Sequence, residues 1–267
     1  MFGDVLPVFG GGFLVAFRQL SLFYYGVCFA LHTLVPWLTQ PRPLQQQPRK
    51  RNDVMRDAFY SIGPLAVKAG YWKLIEELHA HDYGLMYDTE VRTVPQILYA
   101  ILTIVTLDYL HDAWFYWTHR LLHWRPLYKH VHYMHHQSTV PSAYTGYSFH
   151  LLEAALVFAN EVILIFLFPI HTKLHRLYHI FTTAIHNGGH AGYELAPFIP
   201  SLEQLAWLIL NGTGKQCKGL NTVMHHDMHH RYPTKHFSLY FTHWDRWCKT
   251  LHESYDALVD ARKKQNS

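Results

Sequence analysis

Ten of the 23 histidines in this chain fall into four compact clusters, and this pattern constrains the fold more than any other feature of the sequence. The clusters are His119-x-x-x-His123, His132-x-x-His135-His136, His186-x-x-x-His190 and His226-x-x-His229-His230. Side chains three or four residues apart lie on one face of a helix, so each cluster can direct its ring nitrogens towards one point. Neutral imidazole is the commonest metal ligand in proteins. Ten imidazoles exceed what one metal ion accepts, and they predict a pair of ions with about four to six ligands each.

Seven isolated histidines receive a different interpretation. They are His32, His79, His81, His171, His175, His179 and His252. A lone imidazole usually has a packing or surface role, and a buried one needs only a hydrogen-bond partner. We therefore expect no metal at these positions.

The composition favours a membrane protein with a water-facing part. Hydrophobic residues make up 49% of the 267 residues and charged residues only 16%, against about 25% in soluble domains. The mean hydropathy is nevertheless near zero, which is too polar for a chain that lies entirely in lipid. We place the histidine clusters in the water-facing part. A net charge of +4 without a dense basic stripe argues against nucleic-acid binding.

Apolar runs predict an all-α integral membrane bundle with about four or five membrane segments and a cytosolic helical cap that holds a poly-histidine di-metal site. The runs are residues 13–38, 58–75, 94–110, 151–170 and 174–185. Basic residues 49–51 follow the first run, so the positive-inside rule puts that loop in the cytosol. If the second run also crosses, all four histidine clusters lie on the cytosolic face. The chain is then a multi-pass membrane protein.

Several carboxylates lie near the clusters in the sequence. An acid that accepts a hydrogen bond from a ligating histidine fixes its tautomer and its orientation. We predict this role for Asp112 and Asp227, and we note Glu153 and Asp245 as neighbouring acids without an assigned role. Asp108 lies inside an apolar run, where ionisable groups are usually paired or functional.

Four stretches of the chain resemble the fatty acid hydroxylase/sterol desaturase superfamily. They are DAWFYWTHRLLH from residue 112, HVHYMHH from residue 130, HNGGHAGYEL from residue 186 and HHDMHHRYPTKHFSLYFTHWDRW from residue 225. The resemblance covers about residues 95–252 and maps the family's metal-binding boxes onto the ten clustered histidines. It implies three regions: an N-terminal membrane anchor and connector at 1–93, a catalytic domain at 94–255 and a polar tail at 256–267.

The resemblance also implies an activity. Members of this superfamily are membrane-bound oxidoreductases of the endoplasmic reticulum or of bacterial membranes, and they use O2 and a histidine-bound di-metal centre that is taken to be di-iron. They hydroxylate or desaturate lipids, and they receive electrons from cytochrome b5 or a similar donor protein. A sterol substrate is favoured over a sphingoid base or fatty acyl chain, because residues 139–154 (TVPSAYTGYSFHLLEA) are similar to the sterol desaturase branch. An isolated protein could carry zinc in place of iron.

Two other functions remain open on the sequence alone. A histidine-rich metal transporter would place its ligands near the middle of the bilayer, whereas these clusters lie at helix ends and beyond. A b-type haem protein needs two histidines on facing helices for each haem, a pattern that H-x-x-H-H clusters do not follow. Both alternatives predict a different metal content from that of a di-iron enzyme.

Overall fold

The structure, a computed structural model, describes residues 11–194, 201–212 and 217–266. Most of these residues lie in helices. The α-helices in chain order are α1 (Gly12–Phe29), α2 (Val35–Thr39), α3 (Arg51–Tyr60), α4 (Ile62–Ala80), α5 (Val94–Leu122), α6 (Arg125–Leu127), α7 (Tyr133–His136), α8 (Leu151–Leu164), α9 (Thr172–Gly189), α10 (Leu202–Asn211), α11 (Val223–Arg231), α12 (His243–Trp247) and α13 (Tyr255–Asn266). π-Helical turns at Ala30–Leu34 and Tyr128–His132 and a 3-10 turn at Ala143–Tyr147 join some of them. The predicted all-α class is confirmed in the described residues, apart from two short parallel strands, β1 (Met86–Tyr87) and β2 (Ile170–His171).

Helix α5 carries the first histidine cluster. It begins with a capping box, in which the side chains of Thr93 and Gln96 each accept a hydrogen bond from the other residue's backbone. Pro95 stands in its first turn, where a missing N–H group costs nothing. The helix continues for 29 residues, so the predicted apolar run at 94–110 and the first cluster form one rigid element.

Two helical stretches are long and apolar enough to cross a membrane, Gly12–Thr39 and Val94–Leu122. Only 28% and 22% of their most apolar windows are buried within the protein, whereas the core helix of a soluble protein would be mostly buried. The runs predicted at 13–38 and 94–110 coincide with these stretches. The other three runs fall on α3, α4, α8 and α9, none of which meets the same criteria, so the count of four or five spans stays a prediction.

The α8–α9 pair forms the hairpin that the sequence predicts, but α8 is short. Its 14 residues extend about 21 Å, less than the hydrocarbon thickness of about 30 Å. The β1–β2 pairing lies at the turn of the hairpin and ties it to the segment after α4. Helix α8 alone is therefore shorter than the hydrocarbon core, and a crossing by this hairpin stays a prediction.

The N-terminal helices pack directly on the rest of the bundle. Helix α1 lies against α4 and α9, and α4 lies against α8. Leu20, Tyr24, Leu65 and Trp72 are fully buried in these contacts. The Tyr24 hydroxyl donates to the carbonyl oxygen of Tyr144 at 2.7 Å, which joins α1 to the turn before α8. The boundary predicted at residue 93 thus falls between regions that share one hydrophobic core.

The region predicted as a polar tail, residues 256–267, is helical wherever it is described, because α13 extends over Tyr255–Asn266. Tyr255 and Val259 pack with Met224 and Met228 of α11 in a small apolar cluster. The tail is thus attached to the helix that carries the last histidine cluster.

Candidate metal centre

The clustered histidines form two adjacent groups, and within each group the candidate ligand atoms lie within 4.8 Å of one another. The first group contains His119, His123, His132, His136 and His229, and the second contains His135, His190, His226 and His230. Nine of the ten predicted ligands are therefore brought together, from α5, α7 with the π-helical turn before it, the end of α9, and α11. All except the partly buried His123 are buried.

Helical spacing decides which group each histidine joins. In the second cluster, His132 and His136 are four residues apart and join the first group, whereas His135 joins the second. In α11 the division is reversed, because the two outer histidines of the cluster join the second group and His229 joins the first. Each H-x-x-H-H cluster thus supplies both groups, which places the groups side by side.

In the first group, ring nitrogens face one another with their lone pairs. The Nδ1 atom of His229 lies 2.7 Å from the carbonyl oxygen of Lys235, which can only accept, so the ring proton is on Nδ1. Its Nε2 atom then presents a lone pair. That atom lies 3.0 Å from Nε2 of His136 and 3.1 Å from Nε2 of His123.

The second group repeats this arrangement. The Nδ1 atom of His190 donates to the carbonyl oxygen of His186 at 2.6 Å, so Nε2 of His190 carries no proton. It lies 2.8 Å from Nε2 of His226 and 3.3 Å from Nε2 of His135. The single lone pair on Nε2 of His190 cannot accept full hydrogen bonds from both neighbours, and the same holds for Nε2 of His229. A cation between the nitrogens satisfies them all, and the residues present therefore fit a bound metal in each group.

Burial keeps these imidazoles in the neutral form that binds metals. Desolvation lowers the pKa of His190 to about 4. It also lowers the pKa of five others well below the usual value, and neighbouring histidines lower it further: His132, His135, His136, His226 and His229. The lowered pKa weakens the competition of protons with a metal for these rings.

Two contacts orient rings of the first group from outside. Oε1 of Glu153 lies 2.8 Å from Nδ1 of His132, and both side chains are buried. Nδ1 of His119 donates to the carbonyl oxygen of Phe237 at 3.0 Å. Glu153 therefore occupies the orienting role that the sequence assigned to other acids. It lies 21 residues from its partner along the chain, which no local spacing could indicate.

Asp112 does not contact a ligating histidine, which corrects the sequence prediction. Its Oδ1 atom accepts hydrogen bonds from the backbone N–H groups of Leu239 at 2.9 Å and Tyr240 at 2.6 Å. These partners lie more than 120 residues away, so the sequence pattern around Asp112 could not reveal them. Asp112 instead fixes residues 239–240. These residues follow Phe237, whose carbonyl oxygen accepts the hydrogen bond from His119.

Asp245 holds the beginning of the same segment. It accepts hydrogen bonds from the backbone N–H groups of Phe237 and Ser238, each at 3.0 Å. Its carboxylate also lies 3.1 Å from Nε2 of His225, a histidine outside both groups. Burial alone would raise the pKa of Asp245, but the contact with His225 lowers it below its usual value. The acid therefore positions the carbonyl oxygen of Phe237 and, through it, the ring of His119.

Asp227 also differs from its predicted role. One carboxylate oxygen accepts a hydrogen bond from Nε of Arg231 at 2.9 Å, and the other accepts one from the Gln45 amide at 2.9 Å. Asp227 is next to His226 on α11, but its carboxylate contacts Arg231 of the same helix and Gln45 of the loop between α2 and α3. It links that helix to the N-terminal loop rather than to the metal centre.

His186 is the one predicted ligand outside both groups. Its Nδ1 atom donates to the carbonyl oxygen of Thr182 at 2.9 Å, and its Nε2 atom has no partner among the described residues. The ring lines a small inner cavity of about 10 Å³ together with His119, His135 and Glu153. This volume has room for about one water molecule and none for a porphyrin.

The comparison with protein families decides the classification of the chain. The family model named fatty acid hydroxylase matches residues 104–250, more than half of the sequence and all ten clustered histidines. The chain belongs to the fatty acid hydroxylase family. No solved structure matches the chain significantly.

Named relatives extend this result. Lathosterol oxidase of Homo sapiens is 28% identical over 247 residues, which cover 88% of this chain and 70% of the relative. Delta(7)-sterol 5(6)-desaturase of Leptosphaeria maculans is 28% identical over 84% of this chain and 56% of its own length. The Schizosaccharomyces pombe desaturase of the same name is 26% identical over 76% and 55%. The predicted superfamily and oxidoreductase class are confirmed, and the two apolar helices are consistent with a membrane protein.

Proposed function

We propose that this chain is a membrane-bound di-iron oxidoreductase that uses O2 to hydroxylate or desaturate a lipid, with a sterol as the favoured substrate. The observation that carries the proposal is the convergence of nine imidazoles on two adjacent points. The names of the relatives, which are sterol oxidases and desaturases, support the substrate class. All-histidine surroundings suit iron, whereas structural zinc usually takes four ligands that include cysteine.

Bound iron would supply the activation of O2 and the one-electron steps needed to break an unactivated C–H bond. The chain supplies the geometry. Nδ1 of His229 and Nδ1 of His190 are fixed by backbone carbonyl oxygens, so their Nε2 atoms point inward without rotating. Glu153 fixes His132 in the same way. Rings held by such outer contacts bind a metal more tightly than free rings do.

Burial is the second contribution of the chain. The inner cavity is enclosed by apolar side chains, among them Phe115, Phe149 and Val157, as well as by histidines. These walls exclude bulk water from the centre, which protects an oxidising species from side reactions. Because the cavity of about 10 Å³ cannot hold a lipid, its wall must open when a substrate carbon enters.

We further propose a multi-pass location in the endoplasmic reticulum, with the histidines on the cytosolic face. Helix α5 enters its apolar part at Val94 and reaches the first histidines at its other end. This arrangement supports a metal centre at the boundary between lipid and water. At this position, a donor protein with a soluble domain, such as cytochrome b5, approaches the centre from the water side and delivers electrons.

Metal analysis and lipid profiling of the same preparation test the proposal. Cells that express the chain should contain an oxidised sterol product, and the purified protein should contain two iron ions with an optical change on reduction. His135→Ala should remove the product while the protein still enters the membrane. His130→Ala is the matched control, since His130 is exposed on the same segment. Full turnover by the His135→Ala variant would contradict the proposal.

A further inference from the structure

A groove of about 410 Å³ lies on the outside of the bundle between α5 and α8. It extends along α5 from Leu110 to Leu121, about 16 Å along the helix axis. Its lining is almost wholly apolar, and Trp117 and Leu167 in it are half exposed. Because α5 is a candidate membrane span, this surface is expected to face lipid.

One buried amide interrupts the apolar lining. Asn160 is only 3% exposed, and its amide group contacts Nδ1 of His111 at 2.7 Å. Its Oδ1 atom has no hydrogen-bond partner among the described residues. Two neighbouring polar groups already have hydrogen-bond partners. The Thr118 hydroxyl donates to the carbonyl oxygen of Trp114, and the Trp114 indole donates to the carbonyl oxygen of Leu156. A buried polar atom without a partner indicates a ligand or a water that supplies one.

A hydroxyl group matches this amide in either orientation. If the amide oxygen is free it needs a donor, and if the amide is turned its nitrogen needs an acceptor; a hydroxyl is both. The acyl chains of bilayer lipids have neither and would leave Asn160 unpaired. The groove therefore suits an apolar molecule with one hydroxyl group.

The groove adjoins the wall of the inner cavity. On α5, His119 lines the inner cavity and the preceding Thr118 lines the groove. On α8, Val157 lines the inner cavity and Asn160 lines the groove, about 4.5 Å further along the axis. A hydroxyl group on Asn160 thus lies about one helical turn from the wall of the metal centre.

We propose that this groove binds a hydroxysterol lengthwise between α5 and α8, with the sterol hydroxyl hydrogen-bonded to Asn160. This inference rests on the proposed function, because it gives the same metal centre its substrate site. The rigid apolar ring system fills the groove, and the hydroxyl fixes its depth. Ring carbons close to the hydroxyl are then held next to the wall that Val157 and His119 form on the other side.

Photo-crosslinking of the purified full chain in detergent tests the proposal without turnover. The probes are a diazirine-bearing 3-hydroxysterol, its 3-deoxy counterpart and a diazirine-bearing fatty acid. We expect the hydroxysterol to label peptides that contain the groove residues of α5 or α8. The deoxysterol should label them about tenfold less, because it lacks the one hydrogen bond to Asn160. Equal labelling by the two sterols, or preferred labelling by the fatty acid, would overturn the proposal.

Two substitutions test the location. Ala113→Trp fills the groove and Asn160→Leu removes the amide, and each should lower hydroxysterol labelling about tenfold. Leu102→Trp is the matched control, because Leu102 is exposed on α5 outside the groove, and it should leave labelling unchanged. If Ala113→Trp does not lower the labelling, the groove is not the binding site.

The iron content of each sample separates the two proposals. A chain that binds no metal and still labels in the groove contradicts the proposed function and leaves the sterol site standing. Suppose instead that the chain holds iron, but that its labelling depends neither on the sterol hydroxyl nor on the Ala113→Trp substitution. This result contradicts the sterol site alone. Iron retention by the variants also shows that they are folded.

Discussion

Among the described residues, the buried imidazoles of the metal centre contrast with another buried set, and only those of the metal centre converge as metal ligands do. In the metal centre, nine rings from four segments converge with their nitrogens within 4.8 Å in each group. The other set, His111, His175 and His179, lies between α5 and α9. Its ring centroids are 4.4 Å apart for His175 and His179 and 6.4 Å apart for His111 and His179.

The neighbours of the second set explain the difference. His175 and His179 have the same four-residue spacing as His119 and His123, yet an ion pair lies beside them and the ring of their neighbour His111 is 6.4 Å from that of His179. Glu161 pairs with Lys68 and accepts a hydrogen bond from the Trp72 indole at 2.8 Å. Its carbonyl oxygen lies 3.0 Å from Nε2 of His175. Burial and histidine spacing thus do not define a metal site, whereas convergence of unprotonated nitrogens does.

The largest contrast is expected between His229→Ala and His179→Ala. His229 contacts two other rings of its group, so its loss should remove iron from the first group and abolish product formation. His179→Ala should keep both irons and most of the activity. Iron quantification and product analysis of the two variants measure the difference. Equal iron loss in both would show that the second set also supports the centre.

Removing Glu161 should destabilise the fold without altering the metal stoichiometry. Glu161→Ala leaves the Lys68 ammonium buried without its partner, which typically costs about 3–5 kcal/mol. We expect a lower melting temperature in detergent and two irons in the protein that remains folded. Glu77→Ala, which breaks an exposed ion pair with Lys73 one turn away, is the control and should have little effect. An unchanged melting temperature for Glu161→Ala would contradict the stabilising role of the pair.

The outer contacts of the metal centre should have intermediate effects. Glu153→Ala frees the ring of His132 and should lower iron affinity by about 10–100-fold. Asp227→Ala should leave the affinity nearly unchanged, because Asp227 contacts Arg231 and Gln45 rather than a ligand. Competition with a chelator measures both affinities. A larger loss for Asp227→Ala than for Glu153→Ala would restore the role that the sequence suggested.

Lowering the pH should destabilise the metal-free protein, because its buried histidines are neutral. Histidines of the unfolded chain titrate near about 6.5, whereas burial lowers the pKa of His190 to about 4 in the folded chain. Between these values the unfolded chain binds more protons, so the free energy of unfolding falls as the pH drops from about 6.5 to about 4. Above that window this contribution is fully present. The melting temperature of chelator-treated protein should therefore fall as the pH is lowered below about 6.5. A melting temperature that stays constant there would contradict this.

Local spacing indicated nine histidines that the structure brings together, whereas His186 has the same four-residue spacing from His190 and stays outside both groups. His119, His132 and His226 each begin a helical cluster whose members are three or four residues apart, so helix geometry alone groups them. The division of each H-x-x-H-H cluster between two groups follows from the same geometry once the helices are packed. The family resemblance covered the same residues.

Long-range contacts were not predictable from the sequence. Asp112 and Asp227 stand close to ligands along the chain, but their carboxylates bind the backbone of residues 239–240 and the side chains of Arg231 and Gln45. Glu153 gives no such sequence signal and contacts His132. Local spacing encodes which side chains share a helix face, whereas only the packed structure determines which group from another segment meets them.

The metal stoichiometry of the chain after reconstitution with iron tests the central claim most directly. Elemental analysis combined with X-ray absorption at the iron edge should find two iron ions per chain, each surrounded by nitrogen or oxygen atoms and none by sulfur. The His229→Ala and His230→Ala variants should each lose one of the two ions, because these histidines belong to different groups. A wild-type chain that binds one iron or none, or variants that keep both ions, would contradict the account.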